Sequence, residues 1–159
     1  MKIALVTYAL QIGGIETFLK LLALYFRESG HGVDFIETLE EGRWSKTFTD
    51  EGYNVIPVLP NPLRSSIHHN KRVSKILKNY DLISVNDSPY AQSVLGLLPE
   101  NIVAISVLHL SLISMLRNAT SNSRNWDALS TVSPAVRDSA TYYADVEEKI
   151  FCIPNGIQE

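Results

Sequence analysis

The residues able to do chemistry in this sequence sit where apolar runs end. Gly13 and Gly14 come after the run Ile3-Ala4-Leu5-Val6-Thr7, and directly behind them Ile15, Phe18, Leu19, Leu22 and Phe26 recur at helical spacing. The pair therefore lies where a loop becomes a helix. Residues without side chains let a ligand approach the backbone there, and the unpaired N–H groups of a first helical turn favour an anion such as phosphate. A plain flexible turn is the competing reading of the same two glycines. The loop has the wrong shape for a nicotinamide dinucleotide. That fingerprint, G-x-G-x-x-G, starts at the strand end, whereas here Ala9, Leu10, Gln11 and Ile12 come before the first glycine.

Three other run ends carry polar groups: Asn86-Asp87-Ser88 after DLISV, His109 after NIVAISVL, and Ser133 after Ala128–Val132. A histidine at a strand's carboxyl end can donate or accept a hydrogen bond and titrates near neutrality. A lone histidine between leucines also reads as a packed core residue. His68 and His69 fall on a loop-to-helix surface and receive no role.

The elements that must position these residues follow from the hydrophobic pattern. Ile3 to Thr7 reads as a central first strand buried on both faces. A helix from Gly14 to Ser29 is closed by Gly30, and strands follow at Val33–Thr38 and Val55–Leu59. Between those strands, Glu40 to Gly52 reads as a short helix or covered loop with Trp44 and Phe48 against the sheet. PNPLRSS, from Pro60, is the most loop-like segment. A basic amphipathic helix then runs from Ser66 to Tyr80, with Val73, Ile76 and Leu77 on one face. Its charges, Lys71, Arg72, Lys75 and Lys78, read first as a solvated face and second as a surface for anionic lipid or a polyanion. Strand four is Asp81–Val85. Asp87 or Ser88 then caps a helix that has Pro89 in its first turn and runs to about Leu98. Strand five is Asn101–Leu108. An apolar element over Leu110–Arg117 and a mobile polar loop over Asn118–Asn125 lead to strand six, Ala128–Val132. A helix from Ser133-Pro134 to Tyr143 and strand seven, Lys149–Ile153, complete the pattern.

Strand and helix alternation with short connections calls for an α/β, Rossmann-like, doubly wound and mostly parallel sheet of about seven strands with helices on both faces. Ligands in such folds bind outside the carboxyl ends of the strands, near the reversal of strand order. That rule puts Gly13, Gly14, Asn86, Asp87, Ser88, His109 and Ser133 on one rim. The length suits a single domain able to bury roughly 70% of its unfolded surface. A net charge of −3 and a sequence pI near 5.8 argue against a dedicated nucleic-acid binder. The single cysteine, Cys152, can form no internal disulfide and reads as a buried thiol, so no metal site is implied and a cytoplasmic location is expected. No apolar run approaches the roughly 20 residues of a membrane span.

Two motifs then carry a resemblance. IGGIETFLKLLALYFRESGHGV, together with STVSPAVRDSA followed by KIFCIPNGI, closely resembles the N-terminal domain of GT-B glycosyltransferases of glycosyltransferase family 4. The similarity implies that residues 1–153 form a Rossmann-like acceptor domain and that 154–159, with Asn155-Gly156, begin the linker to an absent donor-binding domain. It further implies that Gly13 and Gly14 approach the diphosphate of a nucleotide-sugar donor, and that His109 contacts the transferred sugar. Glu16 matches the family's acidic residue at the head of the first helix, where the helix dipole also favours a carboxylate on purely structural grounds. Glu16, Asn86, Asp87, Ser88 and Ser133 are the acceptor-side candidates. The partners implied are the nucleotide sugar and a sugar or lipid-linked acceptor, without a metal or other cofactor and without nucleic acid, with peripheral contact at the inner face of a membrane as an extension. The competing reading is a non-enzymatic doubly wound regulatory or nucleotide-binding module. Against a receiver-like version of it, Tyr8-Ala9 supplies no acidic pair after strand one. A phosphate-ester enzyme is a weaker rival, because no nucleophile stands with a base and no P-loop lysine is present.

Overall fold

The computed structural model describes residues 1–154 and contains one sheet of seven parallel strands in the order β3-β2-β1-β4-β5-β6-β7. The strands are β1 (Lys2–Thr7), β2 (Gly32–Glu37), β3 (Asn54–Pro57), β4 (Leu82–Asn86), β5 (Val103–Leu108), β6 (Ala128–Thr131) and β7 (Ile150–Cys152). The helices are α1 (Gly14–Glu28), α2 (Ser45–Asp50), α3 (Ser66–Leu77), α4 (Pro89–Val94), α5 (Ile113–Thr120) and α6 (Pro134–Tyr143), with single 3-10 turns after α4 and before β7. The doubly wound expectation holds. Strand order reverses between β1 and β4, which are in register from Ile3 opposite Leu82 to Thr7 opposite Asn86.

Alternation along the central strands divides the core in two. Ala4, Val6, Ile36, Ile83, Val85, Ala104 and Leu129 point to one face, where Val73 and Leu77 of α3, Ala91 and Val94 of α4, Leu116 of α5 and Ala140 of α6 cover them. Ile3, Leu5, Val33 and Phe35 point to the other, beneath Leu19 and Ala23 of α1 and Phe48 of α2. Helices thus lie on both faces, four on one and two on the other. The second face is covered only over β1–β3. Beyond it, Phe151 is 52% exposed and Ile153 61%, and a groove of about 200 Å3 runs between Phe18, Leu22 and Phe26 of α1 and Ser84 of β4, Ile105 and Val107 of β5 and Ser130 of β6.

Several expectations are corrected in detail. The segment from Asn118 is not a loose loop at its start. Helix α5 runs through Thr120, Thr120 and Ser123 are buried, and the indole N–H of buried Trp126 donates to the Ala119 carbonyl at 3.0 Å, which ties the segment to the core. Cys152 is half-buried rather than fully buried, at the end of the edge strand β7. Helix α3 ends at Leu77, three residues before Tyr80. The linker motif at Asn155-Gly156 lies outside the described residues.

Candidate functional site

The carboxyl ends of the strands gather the polar residues, and most of them are buried. Helix α1 begins at Gly14, and Gly13 takes the N-cap position with extended backbone (φ −177°) and no side chain capping the first turn. Neither glycine has left-handed backbone, and a Cβ on Gly14 would meet nothing within 4 Å. The fold itself therefore does not require Gly14. The open space and the uncapped N–H groups form the anion-accepting end of a 15-residue helix. Glu16 is buried two residues in, and its Oε1 accepts the Gln11 N–H at 3.0 Å, which folds the preceding loop back onto the helix.

Across the strand reversal, Asn86 ends β4. Its side-chain amide donates to the Ser84 carbonyl (3.1 Å) and hydroxyl (3.2 Å), which turns its Oδ1 toward β5. There the His109 ring donates Nε2–H to Asn86 Oδ1 at 3.1 Å. The ring also stands edge-on to Phe18 of α1, with centroids 5.1 Å apart. His109 is thus on the same edge as Gly13 and Gly14, held between β4 and α1 and 9% exposed. Burial pushes its pKa down to about 4, so the imidazole is neutral at physiological pH, with Nε2 carrying the proton.

Asp87 follows with φ +47°, the only non-glycine residue of the described chain in the left-handed region. It is 6% exposed, and burial raises its pKa to about 7, opposed by a hydrogen bond from the His109 backbone N–H. Its Oδ2 is buried without a partner. Ser88, not Asp87, caps α4: its Oγ accepts the Ala91 N–H at 3.3 Å and pairs with the Thr38 hydroxyl at 2.7 Å. Ser133 caps α6 by accepting the Val136 N–H at 3.3 Å. Every rim candidate thus lies at the carboxyl edge, but Ser88 and Ser133 hold helix ends, Asn86 orients His109, and Glu16 orders the first loop.

Two residues escaped the sequence reading. Glu37, fully buried at the end of β2, receives the N–H of Leu10 (2.8 Å), the N–H of Gly42 (2.7 Å) and the Ser45 hydroxyl (2.8 Å) on one oxygen, and so fixes the loops after β1 and β2 against each other. Gly42 is essential to that junction, since a Cβ there would lie 2.0 Å from the Leu10 carbonyl oxygen. His69 is not on the surface. It is buried, donates Nε2–H to the Thr38 carbonyl at 2.8 Å and stands edge-on to Tyr90 with centroids 4.5 Å apart. Burial lowers its pKa. The signal for its burial was available: positions 69, 73 and 77 are four apart and share one helix face. His68 is exposed, as expected.

Comparison with known proteins rests on this geometry. No curated protein matches the sequence. Among solved structures, HepE of Anabaena in complex with UDP-glucose superposes with a TM-score of 0.79 at 20% identity, over 99% of this chain and 44% of that one. An alpha-glucosyltransferase, AGT, in complex with UDP gives 0.68 at 16%, over 99% and 44%. MurG of Acinetobacter baumannii gives 0.71 at 13%, over 98% and 46%. The chain therefore spans less than half the length of each of these relatives in fold, and the likeness is one of fold. Among the described residues no helix is long and apolar enough to cross a membrane. Residues 12–159 match the description of Glycosyltransferase Family 4, almost the whole sequence, and the chain belongs to that family.

Proposed function

We propose that this chain is the acceptor-binding half of a nucleotide-sugar-dependent glycosyltransferase. The observation that supports it most directly is the convergence, at the strand reversal, of an uncapped helix N-terminus at Gly13-Gly14 with the neutral, Asn86-oriented His109. In glycosyl transfer the acceptor hydroxyl oxygen forms a bond to the anomeric carbon while the bond from that carbon to the diphosphate breaks. Negative charge grows on the departing diphosphate. The first-turn N–H groups of α1 and its dipole would face that charge, and Gly14 leaves room for the approach. His109, neutral, would hold a hydroxyl of the transferred sugar by hydrogen bonding rather than serve as an acid. The chemistry needs no metal or other cofactor in this reading.

A second Rossmann-like domain would supply the base and sugar contacts and close the crevice, since positioning from one wall leaves the reactants poorly aligned. The isolated chain should then turn over no donor. Retention of anomeric configuration follows the family's common stereochemistry, and the products would be polysaccharide, glycan or glycolipid. The exposed cations of α3, Lys71, Arg72 and Lys75, suit an acceptor presented at the anionic inner face of a membrane. The test is release of nucleoside diphosphate from a panel of nucleotide sugars by the full-length protein. His109→Ala should cut kcat/KM by roughly 10–100-fold, the loss of one hydrogen bond in a water-excluded site. Sustained turnover by residues 1–159 alone, or an undiminished His109→Ala enzyme, would overturn the proposal.

A further inference from the structure

At the reversal of strand order, three consecutive residues end β4 in different bonding states. Asn86 spends its amide on Ser84 and its oxygen on His109, and Ser88 spends its hydroxyl on Thr38 and on the Ala91 N–H. Asp87 between them is incomplete. The His109 backbone N–H opposes the rise in its pKa, while Oδ2 is buried with no donor. The same residue sits in left-handed backbone, which asparagine or glycine adopts at least as readily, so the turn does not explain a carboxylate. A buried carboxylate oxygen without a donor is costly to the folded chain, and the missing partner is one hydrogen-bond donor of small size. Its place matches the ligand crevice of a doubly wound sheet, next to His109.

We infer that Asp87 Oδ2 is the receptor for a sugar hydroxyl, which donates to it and completes the carboxyl on binding. The inference rests on the glycosyltransferase reading and deepens it by naming a specificity-determining residue. The hydroxyl comes from the transferred sugar of the donor or from the acceptor, the two sugars that meet at this rim. Burial, and then the charges of Glu16, Glu40 and Asp87, raise the pKa of Tyr8 in the loop after β1, and His109 is neutral. With the Asp87 pKa near 7 in the empty site, a ligand that needs the ionised oxygen binds with release of a proton and more tightly as pH rises through neutrality.

The experiment uses the full-length protein and Asp87→Asn, which can keep the left-handed turn while replacing one carboxyl oxygen by an N–H donor. Binding of a nucleoside diphosphate and of its nucleotide sugar is measured by calorimetry, and initial rates are measured with methyl glycosides as acceptors at saturating donor, both at pH 6, 7 and 8. If the donor supplies the hydroxyl, the variant binds the nucleotide sugar roughly tenfold more weakly and the diphosphate unchanged. If the acceptor supplies it, both donor affinities are unchanged and the acceptor KM rises by about the same factor. In either case the wild-type constant improves from pH 6 to 8 and the variant's does not. Asp87→Gly, which tolerates the backbone and lacks the carboxyl, replaces the asparagine variant if that one does not fold. Wild-type turnover with variants equal to it in both arms and in pH dependence overturns this inference alone. A wild-type protein that neither binds nor consumes any nucleotide sugar overturns the functional reading, and this inference falls with it.

Discussion

The two edges of the sheet differ in how many polar groups they close off without a partner. At the amino edge His31 Nδ1 alone of the described groups is buried without a partner, and the others are matched. Asp81 receives the Lys2 N–H, Asp127 receives the Ala104 N–H at 2.8 Å, Tyr80 donates to Asp34 at 2.7 Å, and Lys149 donates to the Trp126 carbonyl at 3.2 Å. At the carboxyl edge Glu37 Oε2, His69 Nδ1, Asn70 Oδ1 and Asp87 Oδ2 are buried without partners. The unpartnered atoms concentrate at the edge that holds the family's expected site. Missing partners mark that edge more clearly than hollows do, since the roomy polar cleft of about 380 Å3 around Arg124 and Lys149 lies at the amino edge.

The comparison breaks most severely at Gly42. Gly42→Ala drives a methyl group into the Leu10 backbone and should cost on the order of 3 kcal/mol or more, read as the loss of denaturation midpoint, because backbone must move and the Glu37 bonds with it. A small loss would mean that the first loop is not fixed as described. Asp87→Asn should do the reverse. The folded carboxyl has a raised pKa, so the native state holds a proton that the unfolded chain loses between about pH 4 and 7, and stability falls as pH rises through that window. The variant should be more stable than wild type at pH 8, on the order of 2–4 kcal/mol, with the gain vanishing near pH 4. Equal stability at pH 8 would show that this edge is no costlier than the other. At the amino edge, Tyr80→Phe removes one satisfied hydrogen bond to Asp34 and should cost about 1 kcal/mol at neutral pH.

The strands and their order class were legible because buried parallel strands write themselves as apolar runs, and the rim followed from the rule for strand ends. The buried side chains of that rim were not. Glu37 reads as the polar end of VDFIET, and only its three donors from loops 5 to 27 residues away show that it is a structural anchor. His69 was misread because a charge-rich helix hides a polar residue on its apolar face. Asn86, Asp87 and Ser88 form one motif in sequence, but their different tasks depend on which neighbour the fold brings to each. The groove beside α1 was invisible for a similar reason, since nothing in a strand's pattern tells which face a helix will leave bare.

The pairing at the heart of the sheet also sets a schedule. β1 lies between β2 and β4, and its contact with β4 joins Thr7 to Asn86, 79 positions apart in the chain. At the ribosome's pace of about 5–20 residues per second, the first strand waits roughly 4–16 s for its central neighbour. During that wait β2 is its one strand neighbour, so nascent protein carries an apolar ribbon with one edge open to whatever factor meets it first.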